Sequence, residues 1–263
     1  WVVNGIVLFD WFNITLEAAA PLTTIAAVWA ACTLYRLVIE GIERIRISAE
    51  HEFLDREMRL ARTVQIALIP TSPPRLPGVD VAGWTLPADL TGGDCFDLWD
   101  LPDGRLGDLV GDASGHGLAP AMIVSQVRTL VRTLSQYESH PQDLFNRVNA
   151  RLALDLPPGR WVTAFLGFLS ADGDLHWASA GHGPMCWCAS EDDELHELDS
   201  TALPLGADES SLADEPGPPL RLGPGGALYV FSDGIFESRS PSGEFYETDR
   251  LKALFQSMRQ EKA

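Results

Sequence analysis

Three glycines and one acid fall within seven residues, Gly111-Asp112-Ala113-Ser114-Gly115-His116-Gly117. An apolar strand pattern over residues 105–110 precedes them, and a helical pattern over 118–136 follows. The stretch therefore reads as a strand-to-helix turn. Glycine allows positive φ and the close approach of another group. An Asp at the end of a strand on such a turn points into a cleft or caps the turn, and this stretch alone leaves both open.

Two further stretches repeat the theme. Thr91-Gly92-Gly93-Asp94-Cys95-Phe96-Asp97 lies upstream, and Val230-Phe231-Ser232-Asp233-Gly234 closes an apolar run downstream. Carboxylates brought together from these stretches repel one another unless a cation lies among them. Oxygen donors without a Cys or His partner favour Mg²⁺ or Mn²⁺ over Zn²⁺.

In order along the chain come Gly-Gly-Asp-x-x-Asp (92–97), Gly-Asp-x-Ser-Gly-His-Gly (111–117), Ala180-Gly181-His182, Leu203-Pro204-Leu205-Gly206 and Ser-Asp-Gly-x-x-Glu (232–237). This series resembles the PPM metal-dependent protein serine/threonine phosphatases, in their bacterial SpoIIE/RsbU branch, from about residue 60 onward. The resemblance implies an α+β fold, two packed antiparallel β-sheets flanked by helices. It also implies two Mn²⁺ or Mg²⁺ ions. Asp112 matches the acid that bridges them, and Ala113 stands where the family offers a backbone carbonyl. Asp233 matches a ligand of the second metal, and Asp94 an acid that holds the metal or its water. Asp97 is either a supporting residue or a strand-end acid. His116 either contacts the leaving group or fixes the glycine turn. His182 and Glu237 match the pattern as structural residues of the site. A further metal-binding Asp is expected beyond Ala263, so residues 71–263 read as a domain truncated at its C-terminus. The implied chemistry is in-line attack of water on a phosphomonoester, without a covalent phospho-enzyme. The implied substrate is a phosphorylated STAS-type anti-anti-sigma protein.

Charge narrows the classes. Nineteen Lys and Arg against 37 Asp and Glu leave a net charge of −18, and residues 71–263 carry 13 of the basic and 29 of the acidic residues. A nucleic-acid binder needs a basic face. Cys32, Cys95, Cys186 and Cys188 have no zinc spacing and read as reduced thiols. No Gly-x-x-x-x-Gly-Lys-Ser/Thr occurs, so a nucleotide cyclase output has no support. A non-catalytic interaction module of the same fold remains the alternative, and the presence of all three acids argues against it.

The chain begins at Trp1, which reads as a piece of a longer protein. Residues 1–39 read as the end of one apolar helix, a polar turn around Asp10 to Glu17, and a full transmembrane helix. No residue from Ala18 to Tyr35 is charged, a run of 18 residues. Arg36, Arg44, Arg46, Arg56, Arg59 and Arg62 follow it, and basic flanks mark the cytoplasmic side. The expected location is the cell inner membrane with the catalytic domain in the cytoplasm. The arrangement also resembles the membrane helices that follow CHASE-type sensor domains. Residues 40–70 read as a linker helix. Ile47, Leu54, Ala61 and Leu68 recur every seven residues, the pattern of a parallel coiled-coil homodimer or of one amphipathic helix lying on the domain. Pro70 ends it, and a proline-rich linker follows.

Within the domain, strands are expected at 79–86, 96–101, 105–110, 161–169, 175–179, 185–189, 195–198 and 227–231. Pro102-Asp103-Gly104 and Asp172-Gly173 mark turns. Helices are expected from Leu118, from Pro141 and from about Thr248, and residues 207–219 read as a loop.

Overall fold

The computed structural model describes residues 2–86, 91–190, 194–208 and 216–261, with side chains for 24–86, 91–190, 194–208 and 216–258 of the same set. The chain divides into two compact units, residues 1–57 and 58–263.

The described residues of the first unit are all helical. Helix α1 (Val2–Leu68) runs through Asp10 to Glu17 without a break, so the expected polar turn between two helices is not formed. Its local sequence, Asp-Trp-Phe-Asn-Ile-Thr-Leu-Glu, holds no Gly or Pro, and polarity without a backbone breaker does not end a helix. Among the described residues, one helix, Thr24–Leu68, is long and apolar enough to cross a membrane. Its large apolar side chains are bare, Trp29 and Ile45 among them at 71% and 72% exposure.

The second unit begins with the last turns of α1. Strands β1 (Asp94–Asp100) and β2 (Leu106–Ala113) form a hairpin, followed by α2 (Leu118–Leu134) and α3 (Pro141–Asp155). Then come β3 (Val162–Leu169), β4 (Asp174–Ala180), β5 (Met185–Cys188), β6 (His196–Leu198), β7 (Leu220–Arg221) and β8 (Ala227–Tyr229). Short α4 (Asp233–Phe236) and α5 (Thr248–Glu261) complete it. One antiparallel sheet has the order β1-β2-β3-β4-β7, the other β6-β5-β8.

Side chains alternate between the faces of a strand, and each face of the larger sheet has its own core. Leu109 and Ala113 of β2 face α2 and α3, packing with Val124, Val127, Leu144 and Val148. Leu106 faces the other way, into a core with Phe165, Trp177 and Met185 that lies between the sheets. Central β3 is buried almost throughout because both of its faces are covered. Gly107 makes room for Trp99 on the neighbouring strand, whose Nε1 donates to Ser135 Oγ at 3.1 Å and so ties β1 to the end of α2.

One expected strand needs correction. Residues 79–86 form no strand. Val79 and Val81 do pack against the core between the sheets, so their alternation reflects an extended segment lying on that core, not a ladder partner. Strand β7 was not legible, because two residues after a proline-rich stretch carry no periodicity. The expected loop at 207–219 lies partly outside the described residues.

Candidate metal centre

Register builds the first half of the site. Asp94 lies directly opposite Asp112 in the β1–β2 ladder, and Asp112 lies opposite Thr163 of β3. Residues paired in this way share a face, so the two carboxylates meet at one end of the sheet, on the face toward the second sheet. Asp233 comes from the other sheet's side, as the first residue of α4 after β8. Ser232 makes no side-chain cap for α4, and its hydroxyl donates instead to Asp94.

The three carboxylates act on one another's charge. Burial pushes the Asp112 carboxyl up to about 7, and the neighbouring charges of Asp94 and Asp233 add to it. Burial likewise raises Asp94, opposed by the Ser232 hydroxyl and reinforced by Asp233. Oδ1 of Asp94 is buried without a hydrogen-bond partner. Burial next to Asp94 pushes the Cys95 thiol up to about 12, which keeps it protonated and a poor ligand.

Gly93 shows how oxygens are aimed. A Cβ placed on it would lie 2.5 Å from the Ala113 carbonyl oxygen and 2.7 Å from Asp112 Oδ1. Both oxygens therefore face the same small space over the Gly93 backbone, a cradle that any side chain would fill. The Gly93 carbonyl accepts from the Ala113 amide at 3.1 Å and fixes the pair. Carbonyl and carboxylate oxygens with an orphaned buried carboxylate beside them suit a hard divalent cation. Among the described residues no three His, Cys, Asp or Glu side chains close into a ready metal shell. Mg²⁺-type ions keep several waters and need few protein ligands, so an open acidic cradle fits them.

The supporting residues divide differently from the sequence reading. Asp97 is fully buried on the opposite face of β1, the face turned toward α2. Its Oδ2 lies 2.9 Å from Arg128 Nε and 3.0 Å from Arg132 Nε, off the line of an ideal hydrogen bond. These guanidiniums oppose the upward push of burial on its carboxyl. Asp97 thus ties strand to helix and does not face the cradle. His116 is exposed at the tip of the turn. The turn is clasped by Ser114, whose amide donates to the Trp161 carbonyl at 3.0 Å and whose Oγ accepts from the Trp161 amide at 3.1 Å. Arg160 Nη1 donates to the Ser114 carbonyl at 2.6 Å. Glu237 closes α4 through its backbone amide, donating to the Asp233 carbonyl at 2.8 Å, while its side chain is exposed.

The other two motifs form the floor. Gly181, at φ +69, donates to the Ala202 carbonyl at 2.8 Å and packs against Pro204 so closely that a Cβ would overlap the ring. Leu205 pairs with Val162 through two backbone bonds of 2.8 and 2.9 Å. Together they hold the start of β3, and with it Thr163, beside Asp112. Gln65, near the end of α1, was not singled out from the sequence. Its Nε2 donates to the Gly92 carbonyl at 2.7 Å and its Oε1 accepts from the Gly92 amide at 3.3 Å, one residue from the cradle. Nothing in helix periodicity distinguishes it from any other helical glutamine.

Comparison with known proteins bears on the family and the fold. A family model described as Stage II sporulation protein E (SpoIIE) matches residues 102–263. The phosphoserine phosphatase RsbU of Bacillus subtilis is 24% identical over 203 residues, covering 77% of this chain and 60% of that protein. The chain thus spans about three-fifths of that relative's length. The SiaA-PP2C domain of Pseudomonas aeruginosa superposes with a TM-score of 0.62 at 17% identity, covering 79% of this chain and 83% of that one. The RsbU and RsbW domains of Rv1364c from Mycobacterium tuberculosis give 0.55 at 27% identity, covering 65% and 47%. The fold is that of PP2C phosphatase domains, and with more than half of its length matched by the family model, this chain belongs to the SpoIIE family.

Proposed function

We propose that the chain is a membrane-tethered, metal-dependent phosphoprotein phosphatase acting on phosphoserine or phosphothreonine, with a phosphorylated STAS-type protein of a sigma-factor pathway as its substrate. The observation that carries the reading is the cradle over Gly93, faced by the Ala113 carbonyl and Asp112, with Asp94 opposite Asp112 in the ladder and the charge of Asp233 acting on both. Family membership and relatives named phosphoserine phosphatases support the reaction class.

Asp112 and Asp94 would hold Mn²⁺ or Mg²⁺ from the β1–β2 hairpin, Ala113 would add its carbonyl, and Asp233 would serve a second ion from α4. Divalent cations supply the acidity that activates water and the positive charge that screens phosphoryl oxygens. The chain's own part is placement. The ladder fixes Asp94 against Asp112, Gly93 leaves the space open, and the Ser114–Trp161 clasp holds the adjoining turn clear of it. Three carboxylates alone would repel a phosphate dianion, so the cradle serves phosphoryl chemistry only when cations neutralise it.

The bare apolar surface of α1 supports the tether and the dimer. A helix exposing Trp29, Leu34 and Leu37 needs lipid or a partner to cover it. The seven-residue seam from Ile47 to Leu68 supports pairing with a second copy, and the arginines after Tyr35 support a cytoplasmic catalytic unit. The reading is tested by phosphate release from a phosphoserine protein, with Mn²⁺, with Mg²⁺ and with chelator. Release that needs the metal and disappears in Asp112→Asn is expected. Release that survives chelation rejects the metal-dependent mechanism.

A further inference from the structure

The ladder that sets Asp94 against Asp112 begins at Asp94 itself. Gly93 is still bonded to β2 through its carbonyl, which accepts from the Ala113 amide at 3.1 Å. Gly92 lies beyond the ladder. Among the described residues its hydrogen bonds go to one side chain, that of Gln65.

A side-chain amide offers one acceptor and a donor in one plane, the same pair that a peptide offers. Gln65 uses them as a strand neighbour would. Its Nε2 donates to the Gly92 carbonyl at 2.7 Å, and its Oε1 accepts from the Gly92 amide at 3.3 Å. That carbonyl and that amide belong to the two peptide planes on either side of the Gly92 Cα, so one side chain fixes both planes. Glycine has the widest choice of φ and ψ, and two glycines in succession would otherwise be the loosest backbone beside the cradle. Packing does not replace the pin. Gln65 lines a small cavity with Leu68, Ile69, Asp94, Cys95 and Ser125, which leaves space between the end of α1 and β1.

We infer that Gln65 is a positioning residue of the metal centre: its amide stands in for a strand partner of Gly92 and so holds the Gly93 backbone at the spacing over which the Ala113 carbonyl and Asp112 face a cation. This rests on the metal-centre reading above. Gln65 hydrogen-bonds no candidate ligand side chain, and its effect passes through the backbone.

Two readouts on the full chain test this, hydrogen exchange without metal and calorimetric titration of Mn²⁺ alone. Gln65→Met keeps the length of the side chain and loses both bonds. Gln65→Asn keeps the amide and shortens its reach by one carbon. Without metal, both variants are expected to speed exchange of the Gly92 and Ala113 amides about tenfold or more, because Gln65 protects the first and the Gly93 carbonyl the second. Mn²⁺ binding is expected to weaken about 10- to 100-fold in both, the usual effect of removing a group that orients a metal ligand. Val148→Ala, in the helix-side core, is the control for general destabilisation. It should lower the melting temperature while leaving Mn²⁺ affinity unchanged. Mn²⁺ affinity within about twofold of the parent in either Gln65 variant overturns the inference, as does unchanged exchange at Ala113. Equal weakening by Gln65→Met and by Val148→Ala at equal loss of melting temperature overturns it too. Should Gln65→Met fail to fold, Gln65→Asn decides. Failure of the metal centre itself looks different: the parent chain takes up no Mn²⁺, or Asp112→Asn takes it up as well as the parent, while exchange at Gly92 and Ala113 still reads the pin.

Discussion

Gly93→Ala removes no charge, donor or acceptor, and yet it should disable the cradle. The added methyl would lie 2.5 Å from the Ala113 carbonyl oxygen and 2.7 Å from Asp112 Oδ1. Carbon and oxygen in comfortable contact stand about 3.3 Å apart. The two oxygens must therefore retreat by roughly 0.6 to 0.8 Å, or the Gly92-Gly93 backbone must move by as much. Neither is free to do so. The Ala113 amide is bonded to the Gly93 carbonyl, and Gly92 is held on both sides by Gln65. Overpacking of this kind costs about 1–3 kcal/mol. If the strain is relieved by turning the oxygens away, the same energy appears as a loss of metal affinity of about 5- to 140-fold. Mn²⁺ titration beside thermal unfolding separates the two destinations of the strain. We expect weakened binding with the fold retained, and phosphate release reduced in parallel. A Gly93→Ala chain that binds Mn²⁺ within about twofold of the parent would show that the Ala113 carbonyl and Asp112 do not face a shared cation.

Asp97→Ala should cost about 3 kcal/mol in urea unfolding, because it leaves Arg128 mostly buried and unpaired, while Mn²⁺ affinity is kept. Lost metal binding at unchanged stability would place Asp97 in the site after all. Asp108 gives the pH dependence: burial, with the Asp97 charge adding to it, pushes its carboxyl from 3.8 up to about 7. Folding thus takes up a proton at this group, and the stability it contributes is present below pH 4 and lost as pH rises through 7. Asp108→Asn should remove a fall on the order of 2–3 kcal/mol between pH 5 and pH 8, and parallel pH profiles for parent and variant would refute this. Glu at both Leu54 and Ala61 should turn a dimer into a monomer in sedimentation, and a parent chain that is already monomeric would reject the coiled coil.

What could be read from the sequence was the chemistry carried on turns. Gly93 beside Asp94 marks a backbone position that a side chain cannot take, and the order of the glycine-flanked acids Asp94, Asp112 and Asp233 carries the family. The hairpin at Pro102-Asp103-Gly104 and the helix start at Pro141 were legible because turn and cap residues act locally. Parity also held information that was left open. Asp94 and Asp97 are an odd number of residues apart, so on one strand they face opposite sides, and Asp97 falls on the α2 face. What escaped was non-local. Val79 and Val81 alternate like a strand because they lie over a core, and periodicity cannot reveal a missing ladder partner. Ser114, Arg160 and Gln65 are common polar residues whose importance comes from partners 27 to 47 positions away.

The most direct measurement is anomalous diffraction at the manganese edge from crystals of the chain grown with Mn²⁺. The account predicts a peak in the cradle, within coordination distance of Asp112 and the Ala113 carbonyl and next to Asp94, and its loss in Asp112→Asn crystals. Mn²⁺ bound elsewhere on the domain, with the cradle holding only water, would contradict it.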